Sequence, residues 1–530
     1  MSHLREKLEP FGEGRVENDD EEDYADVPLL VKCGSYKIPA AAAIYPALFL
    51  FCVVMFGSSI SYRYGLQSVI CYHIRNGSPL DASGSNHTGH VGVPCDKDKD
   101  VIAETTKWNG IMLTTLGFAS CITSGTIASY TDVLGRRVVL ALAAFGQALN
   151  ALAVYLCVLF NLHPSWCLIG AVFNGLSGGY PGFLACSFAY AADLTPERHR
   201  SIVFGVAESM LYLGGALGPL LIGFLQQTYG SQTTLLSLII LASALVVYVF
   251  FMPASRSFAR LSRDAKRTIS GSARSSRNSS FSNYNTMVQG SEDDVSEKLS
   301  CTELFWQFNL LTVLWALVKR PLPVVLIVTS FMLYFCSLLG NAVISGSYAQ
   351  LQFDWQSEQQ GVYASITGVV RAAGVWFFNY LFFKGPRWAR MEELHVMILS
   401  AFAFGGMYLA QAFVASPFAF FCIGMLNVLG GLMMPLVRSM VSKSFDSSKQ
   451  GVALTSIAAV EAITTLWVPV VLGALFQYSV KTMHFPQLYL YILSGLSFIA
   501  MLLLLTINRT KLTDALSQSQ YRGVDESSAI

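Results

Sequence analysis

Asp132-Val-Leu-Gly-Arg-Arg137 is a charged, turn-forming hexapeptide set between two apolar runs, each long enough to cross a bilayer. Gly135 permits a tight turn, and Asp132, Arg136 and Arg137 keep that turn in water. A connection this short between two spans makes a hairpin of antiparallel transmembrane helices, and its arginines place it on the cytosolic face. The rest of the chain takes its sidedness from this hinge.

Of the 530 residues, 53% are apolar and only 13% charged, and 42 are glycine. That balance is too apolar for a soluble protein of this size. The net charge of +1 says little, because what matters is that the charges gather in loops and tails. Apolar runs of about 20 residues, each spanning roughly 30 Å of helix, fall at 40–62, 108–129, 137–160, 163–190, 201–225, 232–252, 321–345, 358–383, 392–413, 416–438, 451–477 and 486–507. The predicted fold is therefore an all-α membrane protein with twelve transmembrane helices in two six-helix halves and both termini in the cytosol.

The domain plan follows. Residues 1–39 read as a disordered cytosolic tail, acidic from Glu17 to Asp26, so the first span is expected to serve as the insertion signal. The first half covers 40–252 and includes an external loop at 63–107. Residues 253–320 form a cytosolic central loop, serine-rich and opened by Arg256, Arg260, Arg263, Lys266 and Arg267. Within it, 303–318 reads as an interfacial helix carrying Phe305, Trp306, Phe308 and Trp315. The second half covers 321–507 and a cytosolic tail 508–530. Lys384, Arg387, Arg390, Arg438 and Lys443 fall on the same side as the central loop, as the positive-inside rule requires.

Most of the eleven cysteines are singletons in apolar runs, where a thiol behaves as a small hydrophobe. Cys71 and Cys95 instead share the long polar loop with the sequons Asn76-Gly-Ser78 and Asn86-His-Thr88. That loop is expected to face the exterior or lumen, where disulfides persist and Asn76 and Asn86 are glycosylated. The sequons at Asn278 and Asn508 fall in cytosolic segments and are expected to stay bare.

There is no nucleotide-binding glycine loop, no metal-spaced Cys/His cluster and no domain to house a hydrolase triad. No enzyme activity, metal, cofactor or nucleic-acid partner is expected. The spans do carry ionisable groups, which are costly in hydrocarbon and mark function by default. Glu208 lies about 10 Å into its helix, where desolvation suits a proton carrier, or a structural interhelical pair. Glu461 is flanked by Ala458, Ala459 and Ala462, and either carries a proton or pairs with Arg371. Arg371, beside Ala372, Ala373 and Gly374, cannot neutralise itself and needs an anion, from the protein or from a solute.

Asp-x-x-Gly-Arg-Arg after the second span resembles the loop motif of the major facilitator superfamily, with Ala128 where that family usually has glycine. Further features resemble solute carrier family 46, the proton-coupled folate transporter family. They are Ala191-Ala-Asp193-Leu-Thr-Pro-Glu-Arg-His-Arg200, Glu208, Met434-Pro-Leu-Val-Arg438 with Ser442-Lys443 and Gln450-Gly451, and the two-sequon first external loop. The resemblance implies a conformational latch at Asp132, Gly135, Arg136, Arg137 and Asp193, proton coupling at Glu208, and substrate binding at Arg438. Arg371 and Glu461 join these as expected substrate and proton residues. Two departures bear on this: Leu338-Leu-Gly-Asn341-Ala replaces a stretch that holds a histidine and an aspartate in the folate transporter, which argues against folate itself. The loop that supplies the transporter's second disulfide cysteine has none here, so a Cys71–Cys95 bond is expected. Glu461 resembles the lysosomal and muropeptide-handling members.

The expected function is secondary transport of an organic, anionic solute with protons. Gly205, Gly214, Gly218-Pro219 and Gly223, with Ile222 in place of a paired glycine, resemble the motif of drug/proton antiporters and give the alternative of proton-antiport export. A transport-inactive receptor or scaffold is the alternative of another class, against which the intramembrane charges argue. The expected partners are a small solute, protons and the bilayer, with the oligomeric state left open. Asp26-Val-Pro-Leu-Leu30 and Tyr521-Arg-Gly-Val524 resemble endolysosomal sorting peptides, so the expected location is the plasma or an endolysosomal membrane.

Overall fold

A computed structural model describes residues 30–33, 36–76, 95–195, 197–253, 321–387, 390–444 and 450–508. The expected interfacial helix at 303–318, the central loop after 253, Asn86 and the tail beyond 508 lie outside these residues, as do the side chains of Asp132 and Glu208.

The 1–39 tail is not wholly disordered. Strands β1 (Leu30–Cys33) and β2 (Tyr36–Pro39) pair antiparallel, Val31 opposite Ile38. Val31, Tyr36 and Ile38 are strand formers, and the intervening Gly34-Ser35 supplies turn-forming residue types.

The rest is helical. The first half comprises α1 (Ile44–Arg75), α2 (Lys99–Leu134), α3 (Arg136–Phe160), α4 (Cys167–Leu176), α5 (Gly179–Asp193) and α6 (Glu197–Phe251). Helix α6 turns back on itself at Gly230, whose φ of 76° breaks it into two rods. The second half comprises α7 (Leu322–Phe353), α8 (Ser357–Lys384), α9 (Glu393–Ala412), α10 (Pro417–Gly424), α11 (Asn427–Gly430), α12 (Met433–Lys443), α13 (Gln450–Lys481) and α14 (Leu488–Leu505). Among the described residues, nine helical stretches are long and apolar enough to cross a membrane. Buried apolar side chains form one cluster in the second half, around Phe331, Phe404 and Tyr489, and two in the first, around Phe51 and Phe183 and around Ile70 and Leu235.

The expected external loop at 63–107 is corrected. Helix α1 runs on to Arg75 and α2 begins at Lys99, so both ends of that stretch are helix. Polar residues enter the run from Arg63 on, yet Arg63, Gln67 and Glu104 remain buried because the opposite half supplies hydrogen bonds to them. The halves meet along α2 against α13 and α6 against α8. Gly110 packs on the backbone of Pro469, and Gly361 on that of Pro219, approaches too close for any side chain.

Candidate functional site between the halves

One crossing in each half is interrupted, and the two interruptions occupy corresponding places. In the first half, α4 gives way to α5 through Gly178 and Gly179, with φ of 99° and 51°, a conformation that side chains resist. In the second, α10, α11 and α12 are separated near Met425 and at Gly431-Leu432. The carbonyl of Gly430 accepts from the Tyr334 hydroxyl at 2.5 Å and from Ser400 Oγ at 3.2 Å, which satisfies a backbone group the break leaves free. Interrupted helices in matching positions of two repeats mark solute sites in carriers.

Arg371, Arg438 and Glu461 lie near these breaks. Arg438, on α12, donates to Glu461 Oε1 of α13 at 3.0 Å. The pair is neither lost in the core nor fully wet, with side chains 37% and 20% exposed. Tyr180, directly after the first break, lies within electrostatic reach of both partners and of Tyr212 on α6. It therefore brings the first half to the ion pair of the second.

Arg371, on α8, packs on Gly431 at the second break, with Tyr334 and Tyr408 within electrostatic reach. Its Nε is buried and has no hydrogen-bond partner among the described residues. The expectation that Glu461 pairs with Arg371 is thus corrected: Arg438 takes that carboxylate, because α12 and α13 pack side by side. Glu208 rides on α6, which packs against the α8 that carries Arg371, but its side chain lies outside the described residues.

At the opposite end from the sequons, Gly135 turns the chain with φ 88° and ψ 140° between α2 and α3. Arg136 then sits at the N-terminus of α3, where the helix dipole disfavours a cation. The Asp193 carboxylate at the end of α5 answers it, 3.2 Å from Nε. The hexapeptide therefore ties two crossings of the same half together. Arg137 Nε is buried without a hydrogen-bond partner among the described residues.

At the sequon end, a polar seam within the expected 63–107 loop joins the halves. Arg63 donates to Gln350 Oε1 at 2.9 Å and also to Gln360 Oε1. Glu104, with no exposed surface, receives Lys481 Nζ and Lys107 Nζ, each at 3.2 Å, together with Gln477. Thr106 Oγ1 donates to Ser347 at 2.7 Å, and Lys97 lies 3.5 Å from Asp354. The available signal was that Arg63 and Gln67 sit one turn apart, while Leu66, Val69 and Ile70 continue an apolar face. Beside the seam Cys71 and Cys95 are bonded, with Cα atoms 5.9 Å apart, and Asn76 caps α1 in an exposed position.

The span-5 glycines divide between two neighbours. Gly214 and Gly218 pack on the backbone of α1 in the same half, whereas Pro219 and Gly223 meet α8 of the other. The helix is wedged between α1 of its own half and α8 of the opposite one.

Residues 103–453 match the sequence pattern of the Major Facilitator Superfamily. A proton-coupled folate transporter of Bos taurus is 31% identical over 150 residues, 27% of this chain and 32% of that protein. The chain thus matches only about a third of that relative's length. A human protein named lysosomal proton-coupled steroid conjugate and bile acid symporter is 23% identical, over 64% of this chain and 66% of that one. The class H tetracycline resistance protein of Pasteurella multocida is 22% identical, over 70% and 80%. Among solved structures, the D-xylose-proton symporter superposes with a TM-score of 0.59 over 89% of this chain and 98% of that one, at 15% identity, a likeness of fold alone.

Proposed function

The chain belongs to the Major Facilitator Superfamily and is a multi-pass membrane transporter, not an enzyme; on that premise we propose that it carries an organic anion inward together with protons. The observation that carries this reading is the Arg438–Glu461 ion pair, 3.0 Å long, facing Tyr180 across the space between the halves. While Glu461 is ionised, its carboxylate occupies the guanidinium that would otherwise take the solute. A proton on Glu461 removes that competitor and opens the guanidinium N–H it held to the solute's anion, so proton and anion load together and the charge moved into the membrane stays small. Arg371, whose Nε has no hydrogen-bond partner among the described residues, supplies the other contact to the solute beside the second break. Glu208 is the second proton residue.

In this reading the chain makes twelve crossings with both termini in the cytosol, and the sequon end is external or lumenal, in the plasma or an endolysosomal membrane. The seam at Arg63 and Glu104 then closes the external side, and the Asp132–Arg137 loop with Asp193 governs the cytosolic side. Names of the relatives support an anionic solute and protons, since a folate and a bile acid are both anions. Uptake of labelled organic anions at acidic and at neutral external pH tests it. Accumulation that is independent of pH rejects the symport.

Export by proton antiport is the second reading. It rests on the glycines of α6 that contact α1 and α8 on two faces, and on the tetracycline resistance relative. Membrane vesicles of inverted sidedness separate the two, because an antiporter loads them when their interior is acid.

A further inference from the structure

Arg63 is only 4% exposed, yet no carboxylate lies within 4.0 Å of it among the described residues. What it has are two neutral amides: Gln350 Oε1 on Nη1 at 2.9 Å and Gln360 Oε1 on Nη2. The Tyr64 ring lies 4.6 Å from the guanidinium carbon. Both amides are held from behind. Gln350 Nε2 donates to the Asp96 carbonyl at 2.9 Å, and Gln360 Nε2 donates to the Trp355 carbonyl at 3.0 Å and Tyr64 Oη at 3.2 Å. Gly346 leaves the space that the guanidinium fills. Two oxygens on two terminal nitrogens are what a carboxylate or sulfate presents to arginine. Here two side chains of the opposite half make that pattern without its charge.

We infer that Arg63 is the first binding site for the solute's anion, engaged when the external side is open. The inference rests on the solute being an organic anion, as proposed above. Arg63 rides on α1 in the first half, whereas Gln350 and Gln360 ride on α7 and α8 in the second. When the halves part externally, both amides leave and the η N–H groups face the vestibule. A guanidinium stays charged there, whereas Lys97, Lys107 and Lys481 on the same seam are balanced by Asp354, Glu104 and Asp96, so the attraction for an anion rests on Arg63 itself. For the external side to close again, the solute must give Arg63 back to Gln350 and Gln360. The same guanidinium therefore serves either the solute or the gate, and closure requires the solute to have moved on toward Arg438 and Arg371.

The test uses the full-length protein in cells, with labelled taurocholate and estrone sulfate as probes, a sulfonate and a sulfate. Arg63→Gln raises the KM for entry from outside about tenfold or more while the KM for exit from the cytosolic side holds, and Arg63→Lys retains part of the affinity. An unchanged entry KM, or an equal rise on both sides, overturns the inference. A second measurement needs no transport. Ser347→Cys, placed under the closed seam on a Cys422→Ala background, is labelled from outside by an impermeant maleimide. External probe raises labelling when Arg63 is present and fails to do so in Arg63→Gln. The same rise in both proteins refutes the site, as does inorganic sulfate acting as strongly as the organic probes. If neither probe enters wild-type cells nor changes the labelling, the organic-anion reading itself falls, and this inference with it.

Discussion

Replacing Glu461 by Gln removes the acid from the central ion pair while keeping its shape, so it tests whether that pair couples protons to solute. At 3.0 Å and partial exposure of both side chains, the attraction lies between two limits. An effective dielectric of ~20 gives about 4 kcal/mol at 4 Å, and solvent screening with side-chain ordering draws exposed pairs down to ~1 kcal/mol or less. With Arg438 more than a third exposed, a net of about 1–2 kcal/mol is reasonable, equivalent to a factor of about 5–30. Glu461 competes with the solute for Arg438 only when it is ionised, so wild-type affinity rises as pH falls. The expected variant binds the anion about 5–30-fold more tightly than wild type at neutral pH and loses the rise on acidification. It exchanges labelled for unlabelled anion but does not concentrate it along a pH gradient. Initial uptake, counterflow and steady-state accumulation in cells with matched surface expression read all three. Should Glu461→Gln still concentrate the anion along a pH gradient as wild type does, the pair is structural and the argument fails.

Glu208→Gln is expected to abolish pH-driven accumulation while sparing counterflow; retained accumulation would leave Glu461 as the coupling acid. Asp193→Asn removes the partner of Arg136 at the head of α3 and is expected to slow turnover more than it lowers surface level, as is Asp132→Asn. Normal turnover in both would reduce the loop to a topological anchor. Cys71→Ser opens the bond between residues 24 apart in sequence and is expected to cost about 3 kcal/mol of stability, read as a lower melting temperature of the purified protein. Asn76→Gln and Asn86→Gln should each shorten the glycosidase-sensitive ladder by one step, and an unmoved band in the double variant would invert the proposed topology.

The sequence by itself determined that this chain lies in a membrane, that its apolar runs divide around a polar centre, and that Asp132-Val-Leu-Gly-Arg-Arg137 makes a tight turn. These features are local. Hydropathy, turn residues and loop charge act within a window of a few residues, so they can be read without knowing what packs where. It also singled out Glu208, Arg371 and Glu461, because a charge inside an apolar run is conspicuous, and Arg438 through the family motif it belongs to. It did not say which charge meets which. By sequence Glu461 could carry a proton or pair with Arg371, but its partner is Arg438, 23 residues earlier, since only packing decides which faces of α8, α12 and α13 turn toward one another. Arg63 and Glu104 escaped for a related reason. At the ends of apolar runs they read as loop, and their burial comes from residues 287 and 377 positions away. Only the tertiary structure brings those residues together, because a buried polar group is made tolerable by its partner, and no local pattern encodes a partner in the opposite half.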